Sequence, residues 1–251
     1  MGLKQAGWAR FDAEPATLDW AAAAVPAARA ALGDPAFADM HQCEGTWFVG
    51  LDALPNDAAG RVGGGPALSG TAMRAAKAFG GWPDLHLAQV SVTFPGYPRP
   101  RAGETEGGFR YRLKRDAAHV DGVLGVGSPK RRFVSEPHRW ILGIGLAGSD
   151  PRAAPLTVWE GSHTIMQHTF RRALEGVEAP ENVDVTEAYV ATRAQCFELC
   201  KRVPVPLQTG EAALLHPMTL HGVAPWEQGE GARMTAYFRP PAVSIADWLK
   251  A

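Results

Sequence analysis

His119 and Asp121 stand two apart in the stretch "KRDAAHVDGV", residues 114–123. An imidazole nitrogen and a carboxylate oxygen are both metal donors. In an extended chain, residues two apart point to the same face while the one between them, Val120, points away. One ion can therefore take both. A third donor has to come from another segment, and "LLHPMTLHGVAPW" supplies two imidazoles, His216 and His221. Two histidines and one carboxylate leave open positions on a non-haem iron(II) ion, where an oxidant and a co-substrate bind. H-x-D alone is also what a solvated strand end shows by chance, so the order of the whole set matters more than the pair.

Such a set needs a rigid scaffold. The chain has 251 residues, 46% hydrophobic and 20% charged, which is a folded composition. Net charge is −1, so nothing points to nucleic acid or an anionic membrane as partner. Glycine (28) and proline (20) favour turns and short strands over a helical bundle. Cys43, Cys196 and Cys200 are too few for a disulfide framework, and the last two, four apart in a helical pattern, read as buried thiols. No apolar targeting segment opens the sequence and no stretch is long enough to span a bilayer, so a reduced cytoplasm is the expected compartment.

Residues 1–84 read as a helical layer. "ATLDWAAAAVPAARAALG" is two helical pieces or one helix kinked at Pro26, "GTWFVGLDAL" a strand, and "TAMRAAKAFGGW" a short helix. From residue 85 strands dominate. "LHLAQVSVTF" alternates with Gln89, Ser91 and Thr93 on one side and Val90, Val92 and Phe94 on the other. "FRYRLKRDAAHVDGVLGV", "RWILGIGLAG" and "PLTVWEGSH" follow as strands, then two helices near 164–175 and 186–202, then strands again. The expected plan is one domain over 1–251. Its fold class is mainly β with flanking helices: a double-stranded β-helix (jelly-roll, cupin-like) core over 85–251, with a helical insertion at about 164–202.

Taken in order, "AHVDG", "APLTVWEGSH", "GEAALLHPMTLHGVAPW" and "ARMTAYFRP" resemble the phytanoyl-CoA dioxygenase-like family of Fe(II)- and 2-oxoglutarate-dependent oxygenases. The resemblance spans roughly residues 85 to 241. It implies His119, Asp121 and His221 as iron ligands, Arg233 on the far carboxylate of 2-oxoglutarate, and O2 as oxidant. Two positions depart from the family pattern: Val223 stands where many members have serine or threonine, and Trp159-Glu160 replaces the commoner proline before "GSH".

The residues support parts of this independently. His216 and His221 are five apart, which puts them on opposite faces of a continuous strand, but Pro217 interrupts pairing and parity alone does not choose. "HGV" and "ARMTAYF" flank the glycine-containing "APWEQGEG" and read as a hairpin that folds Arg233 back beside His221. Gly222 adjoins His221, leaving room for a bound co-substrate. A guanidinium is a planar, permanently charged fork suited to a carboxylate. Arg239 shares that strand face but lies six residues on, about 20 Å at ~3.3 Å per residue, out of reach of a five-carbon diacid chelating the ion.

Gln89 and Thr93 share one strand face, either as co-substrate contacts or as a solvated side. In "GSPKRRFVSEPHRW", Arg131 and Arg132 either pair with an acidic substrate or form a solvated basic loop, and Trp140 either walls the pocket or packs in the core. The function expected is hydroxylation of a small organic molecule, with 2-oxoglutarate converted to succinate and CO2. The rivals are desaturation or epimerisation at the same site, or a non-catalytic metal-binding or sensor protein on a cupin-like scaffold. Halogenation is disfavoured because Asp121 fills the position a halide needs.

Overall fold

The computed structural model describes residues 2–148 and 150–251. Its helices are α1 (Leu3–Ala6), α2 (Pro15–Gly33), α3 (Thr71–Gly80), α4 (Glu106–Arg115), α5 (Ser162–Leu174), α6 (Thr186–Leu199) and α7 (Ile245–Trp248). Its strands are β1 (Trp8–Phe11), β2 (His41–Gln42), β3 (Trp47–Leu54), β4 (Ala88–Thr93), β5 (Val123–Val126), β6 (Arg131–Val134), β7 (Ile141–Ala147), β8 (Leu156–Glu160), β9 (Lys201–Val205), β10 (Ala212–Leu215), β11 (His221–Val223) and β12 (Arg233–Phe238).

An antiparallel seven-stranded sheet runs β1-β10-β7-β12-β4-β3-β2 and faces a three-stranded sheet, β11-β8-β9. This is the double-sheet core expected. β12 shows how alternation builds it. Met234, Ala236 and Phe238 turn outward into a core shared with Trp20, Ala24 and Ala28 of α2, while Arg233, Thr235 and Tyr237 turn inward. β4 repeats the scheme, with Val90 and Val92 outward and Gln89, Ser91 and Thr93 inward. Both faces are buried, so Gln89 and Thr93 are not on a solvated side. Ile141, Leu156, Val158 and Leu215 fill the gap between the sheets. α5 and α6 pack against the small sheet's outer side through Met166, Phe170, Tyr189 and Trp159.

Three local expectations differ from what is found. Residues 1–84 contribute β1, β2 and β3 to the large sheet as well as α2 and α3, so the segment is more than a helical layer. The stretch around "FRYRLKR" is helix α4, not strand. Its aromatic–basic alternation imitates a strand, but Thr105 caps the first turn by accepting from the Gly108 amide, and Arg112, Lys114 and Arg115 sit at the negative end of the helix dipole. Finally, β11 and β12 are not a hairpin. β11 pairs with β8, whereas β12 pairs with β4 and β7, so the intervening loop crosses from one sheet to the other. No helix is long and apolar enough to cross a membrane among the described residues.

Candidate metal centre

The segment carrying His119 and Asp121 is extended but belongs to no named strand. It is stitched to β11 by reciprocal backbone bonds between His119 and His221, at 2.8 and 3.0 Å. Two tyrosines hold it from the helical side: the Tyr111 hydroxyl of α4 donates to the Ala118 carbonyl, and the Tyr189 hydroxyl of α6 accepts from the Val120 amide. Asp116 anchors its start. This residue has a left-handed backbone (φ 55°), and its buried carboxylate accepts from Arg202 at 2.6 and 3.1 Å and from Thr157 at 2.8 Å. Its carbonyl accepts from the Val223 amide and lies where a Cβ on Gly222 would come within 2.2 Å of it. Gly222 therefore admits the Asp116 backbone, and the space expected there for a co-substrate is taken.

One donor atom each from His119, Asp121 and His221 fall within 4.8 Å of one another, a grouping that could hold a metal ion. The Nδ1 atoms of His119 and His221 face the carbonyls of Ala117 (3.1 Å) and Thr219 (2.9 Å). Donation to those carbonyls leaves each Nε2 lone pair directed at Asp121 Oδ1, 3.1 Å from His119 and 3.7 Å from His221. Burial pushes the His221 imidazole down to about 4, so it is neutral, as a ligand must be, at physiological pH. Burial would raise the Asp121 carboxyl, but Arg239, then His221 and His119, more than offset it and hold it well below the usual carboxylate range. His216 lies elsewhere. Its Nδ1 accepts from the Met218 amide and its ring packs against Phe79 and His163.

Arg239 is at the centre rather than far from it. Its Nε lies 3.2 Å from Asp121 Oδ2. Strand length measured from Arg233 misplaced it, because the metal loop crosses the C-terminal end of β12. Arg233 sits deeper, opposite Thr93 on β4, 3% exposed. Its side chain runs along the strand, and Nη2 donates to the Tyr237 hydroxyl at 3.1 Å. Nε and Nη1 have no hydrogen-bond partner, nor do the neighbouring Gln89 Oε1, Thr93 Oγ1 and Thr235 Oγ1. A permanently charged guanidinium buried with two unmet nitrogens is costly unless an anion reaches it, so these residues fit a bound carboxylate.

A cavity of about 160 Å³ adjoins the three donors, walled by Trp47, Val49, Gln89, Leu156, Val223 and Tyr237, with Arg239 at its edge. Arg233 and Thr93 stand behind that wall rather than on it. Arg131, Arg132 and Trp140 do not line it either. Arg131 pairs with Asp184, and the Arg132 guanidinium covers the Tyr189 ring, tying the β5–β6 hairpin to the helical insertion. Trp140 is fully buried, donates to the Gly81 carbonyl and stacks on Trp82. Sequence reasoning passed over Tyr237 and misjudged Arg239. The even spacing 233, 235, 237, 239 was the available signal, since it puts all four on one strand face. For Asp116 no comparable signal exists.

Neither a protein-family model nor a curated protein sequence matches the chain. Solved structures do. AviO1 from Streptomyces viridochromogenes Tue57 is 17% identical, with 96% of this chain and 92% of that one covered and a TM-score of 0.52. EvdMO1 is 15% identical, covering 96% of this chain and 49% of that one, also at 0.52. The chain shares their fold. SnoK, a non-heme alpha ketoglutarate dependent carbocyclase from nogalamycin biosynthesis, is 12% identical over 99% of this chain and 88% of that one, at the lower TM-score of 0.48. At such identities the likeness concerns architecture, and the chemistry has to be read from the site itself.

Proposed function

We propose that this protein is an Fe(II)- and 2-oxoglutarate-dependent oxygenase that hydroxylates a small organic molecule, on the phytanoyl-CoA dioxygenase-like pattern its motifs resemble. The observation that carries the proposal is the pairing of a two-histidine, one-carboxylate donor set with a buried, incompletely bonded arginine on the inward face of β12, behind the wall of the cavity the donors adjoin. Neither half alone would specify the chemistry. Together they suit a ligand that chelates the metal at one end and presents a carboxylate at the other.

His119, Asp121 and His221 would hold the iron. Arg233 would take the far carboxylate of 2-oxoglutarate. When bound, the metal and co-substrate supply oxidative chemistry with O2, yielding succinate, CO2 and a hydroxylated product. The chain's own contribution is geometric and electrostatic. Asp121 stays ionised through burial because Arg239 sits beside it. Tyr237, which accepts from Arg233, has its own proton free to donate toward the cavity. Trp47, Val49 and Leu156 give the cavity apolar walls, which limit water near the reacting centre. The whole chain works as one unit in this proposal, because β3 borders the strand that faces Arg233.

The experiment is a metabolite-library screen for succinate release with Fe(II), ascorbate and 2-oxoglutarate, run beside Asp121→Ala. Substrate-stimulated succinate release and oxygen uptake, both lost in the variant, are the expected result. Hydroxylation by Asp121→Ala near the wild-type level would remove the site from the chemistry.

A further inference from the structure

Among the described residues, Arg239 is the only lysine or arginine lining the inner cavity. Its Nε lies 3.2 Å from Asp121 Oδ2 without completing a hydrogen bond, its guanidinium carbon lies 5.7 Å from the centre of the Tyr237 ring, and no hydrogen bond takes up its two terminal nitrogens among the described residues. It also borders an outer cleft of about 970 Å³, lined in part by Val134, Pro137, Val177 and Pro241, so the guanidinium stands where the metal cavity meets an approach from outside.

The charge of the loaded site gives this arginine a task. A divalent ion and the two arginines bring four positive charges. Asp121 and a dianionic 2-oxoglutarate bring three negative ones. Histidines that ligate an ion do so as neutral imidazoles, and the nearby carboxylate of Asp116 is already matched by Arg202. Among the groups that reach the cavity or the co-substrate, with Arg101 lying outside on the far side of the Trp47 wall, one positive charge is left over beside walls that are mostly apolar, where screening is weak. A bound ion would also compete with Arg239 for the Asp121 carboxylate, leaving the guanidinium with its contact to the Tyr237 ring. We propose that the substrate is a monoanion, a small carboxylic acid with an apolar body, whose carboxylate docks on the terminal nitrogens of Arg239 and whose body lies against Trp47, Val49 and Leu51. This rests on the iron and 2-oxoglutarate reading of the same site. The fork of a guanidinium matches a carboxylate in two bonds, and anchoring beside Asp121 would put carbons close to the carboxylate within reach of the metal.

The test uses propionate and the uncharged propionamide as probes. Wild-type protein is loaded anaerobically with Mn(II) and saturating 2-oxoglutarate, and the paramagnetic broadening of each probe's methyl proton signal is measured. Arg239→Gln and Arg239→Lys are measured in parallel. The expected result is that propionate is broadened at concentrations about ten- to a hundredfold below those needed for propionamide. Arg239→Gln should abolish that preference and Arg239→Lys retain part of it. Equal broadening of the two probes, or a propionate preference that survives Arg239→Gln, would overturn the proposal. A separate control distinguishes failure of the underlying reading: wild type that forms no visible chelate band with Fe(II) and 2-oxoglutarate fails at that earlier step, before any probe is added.

Discussion

Replacing Arg233 with methionine should do two opposite things. The arginine is 3% exposed, has no ion pair among the described residues, and keeps only one of its polar atoms bonded within the protein, to Tyr237. In the protein without co-substrate this is a buried, poorly compensated charge. An apolar side chain of similar length there should be neutral or stabilising, by about 1–3 kcal/mol. That would raise the melting temperature by roughly 2 °C or more per kcal/mol for a chain of this size. With co-substrate the sign reverses. Two charge-assisted bonds to a carboxylate are lost, worth on the order of 3 kcal/mol together, or about a hundredfold in affinity. Tyr237→Phe, which removes one hydroxyl and leaves the charge, should cost only about fivefold. Differential scanning fluorimetry of the metal-free protein gives the first quantity. Anaerobic titration of the Fe(II)-loaded protein with 2-oxoglutarate gives the second. If Arg233→Met lowers the melting temperature and changes 2-oxoglutarate affinity less than about threefold, the arginine is a structural residue and the account of it fails.

Other consequences are sharper in sign than in size. Asp116→Asn should weaken Fe(II) binding and cost about 1–3 kcal/mol of stability, since its buried carboxylate, bonded to Arg202 on β9 and Thr157 on β8, anchors the start of the segment that carries His119 and Asp121; metal titration and thermal denaturation check it. Trp140→Phe should destabilise by roughly 2 kcal/mol yet leave 2-oxoglutarate affinity unchanged, as fits a core residue with one hydrogen bond to Gly81; a shift in affinity would return it to the pocket. Burial pushes both His138 and His216 down to about 4. The unfolded chain, near 6.5, takes up their protons first, so their contribution is complete above about pH 6.5 and is lost as pH falls toward 4, by at most about 3 kcal/mol each. Denaturant midpoints at pH 7 and pH 5 should show that loss, and stability that is flat or higher at pH 5 would contradict it.

Much of the site could be read from the sequence because its information is local. An H-x-D spacing and alternation along β4 and β12 survive translation into three dimensions. What failed depends on partners distant in the chain. The β11–β12 hairpin was inferred from a glycine-containing turn, yet each strand found its neighbour in a different sheet, β8 for one and β4 with β7 for the other. Arg239 was judged by distance along one strand, whereas its neighbour Asp121 arrives on a loop more than a hundred residues earlier in the chain. Gly222 was assigned to a ligand when the Asp116 backbone occupies the space. "FRYRLKR" shows a third limit. Its alternation has the period of a strand, and only the Thr105 cap and the basic last turn mark the helix it forms.

The central claim is that iron and 2-oxoglutarate meet at His119, Asp121 and His221, and the choice between two histidines five residues apart tests it most directly. Wild type, His216→Ala and His221→Ala are titrated anaerobically with Fe(II) and 2-oxoglutarate while the weak visible charge-transfer band of the chelate is followed. The band should form in wild type, persist in His216→Ala and vanish in His221→Ala. No band in wild type, or a band that survives His221→Ala and disappears with His216→Ala, would contradict it.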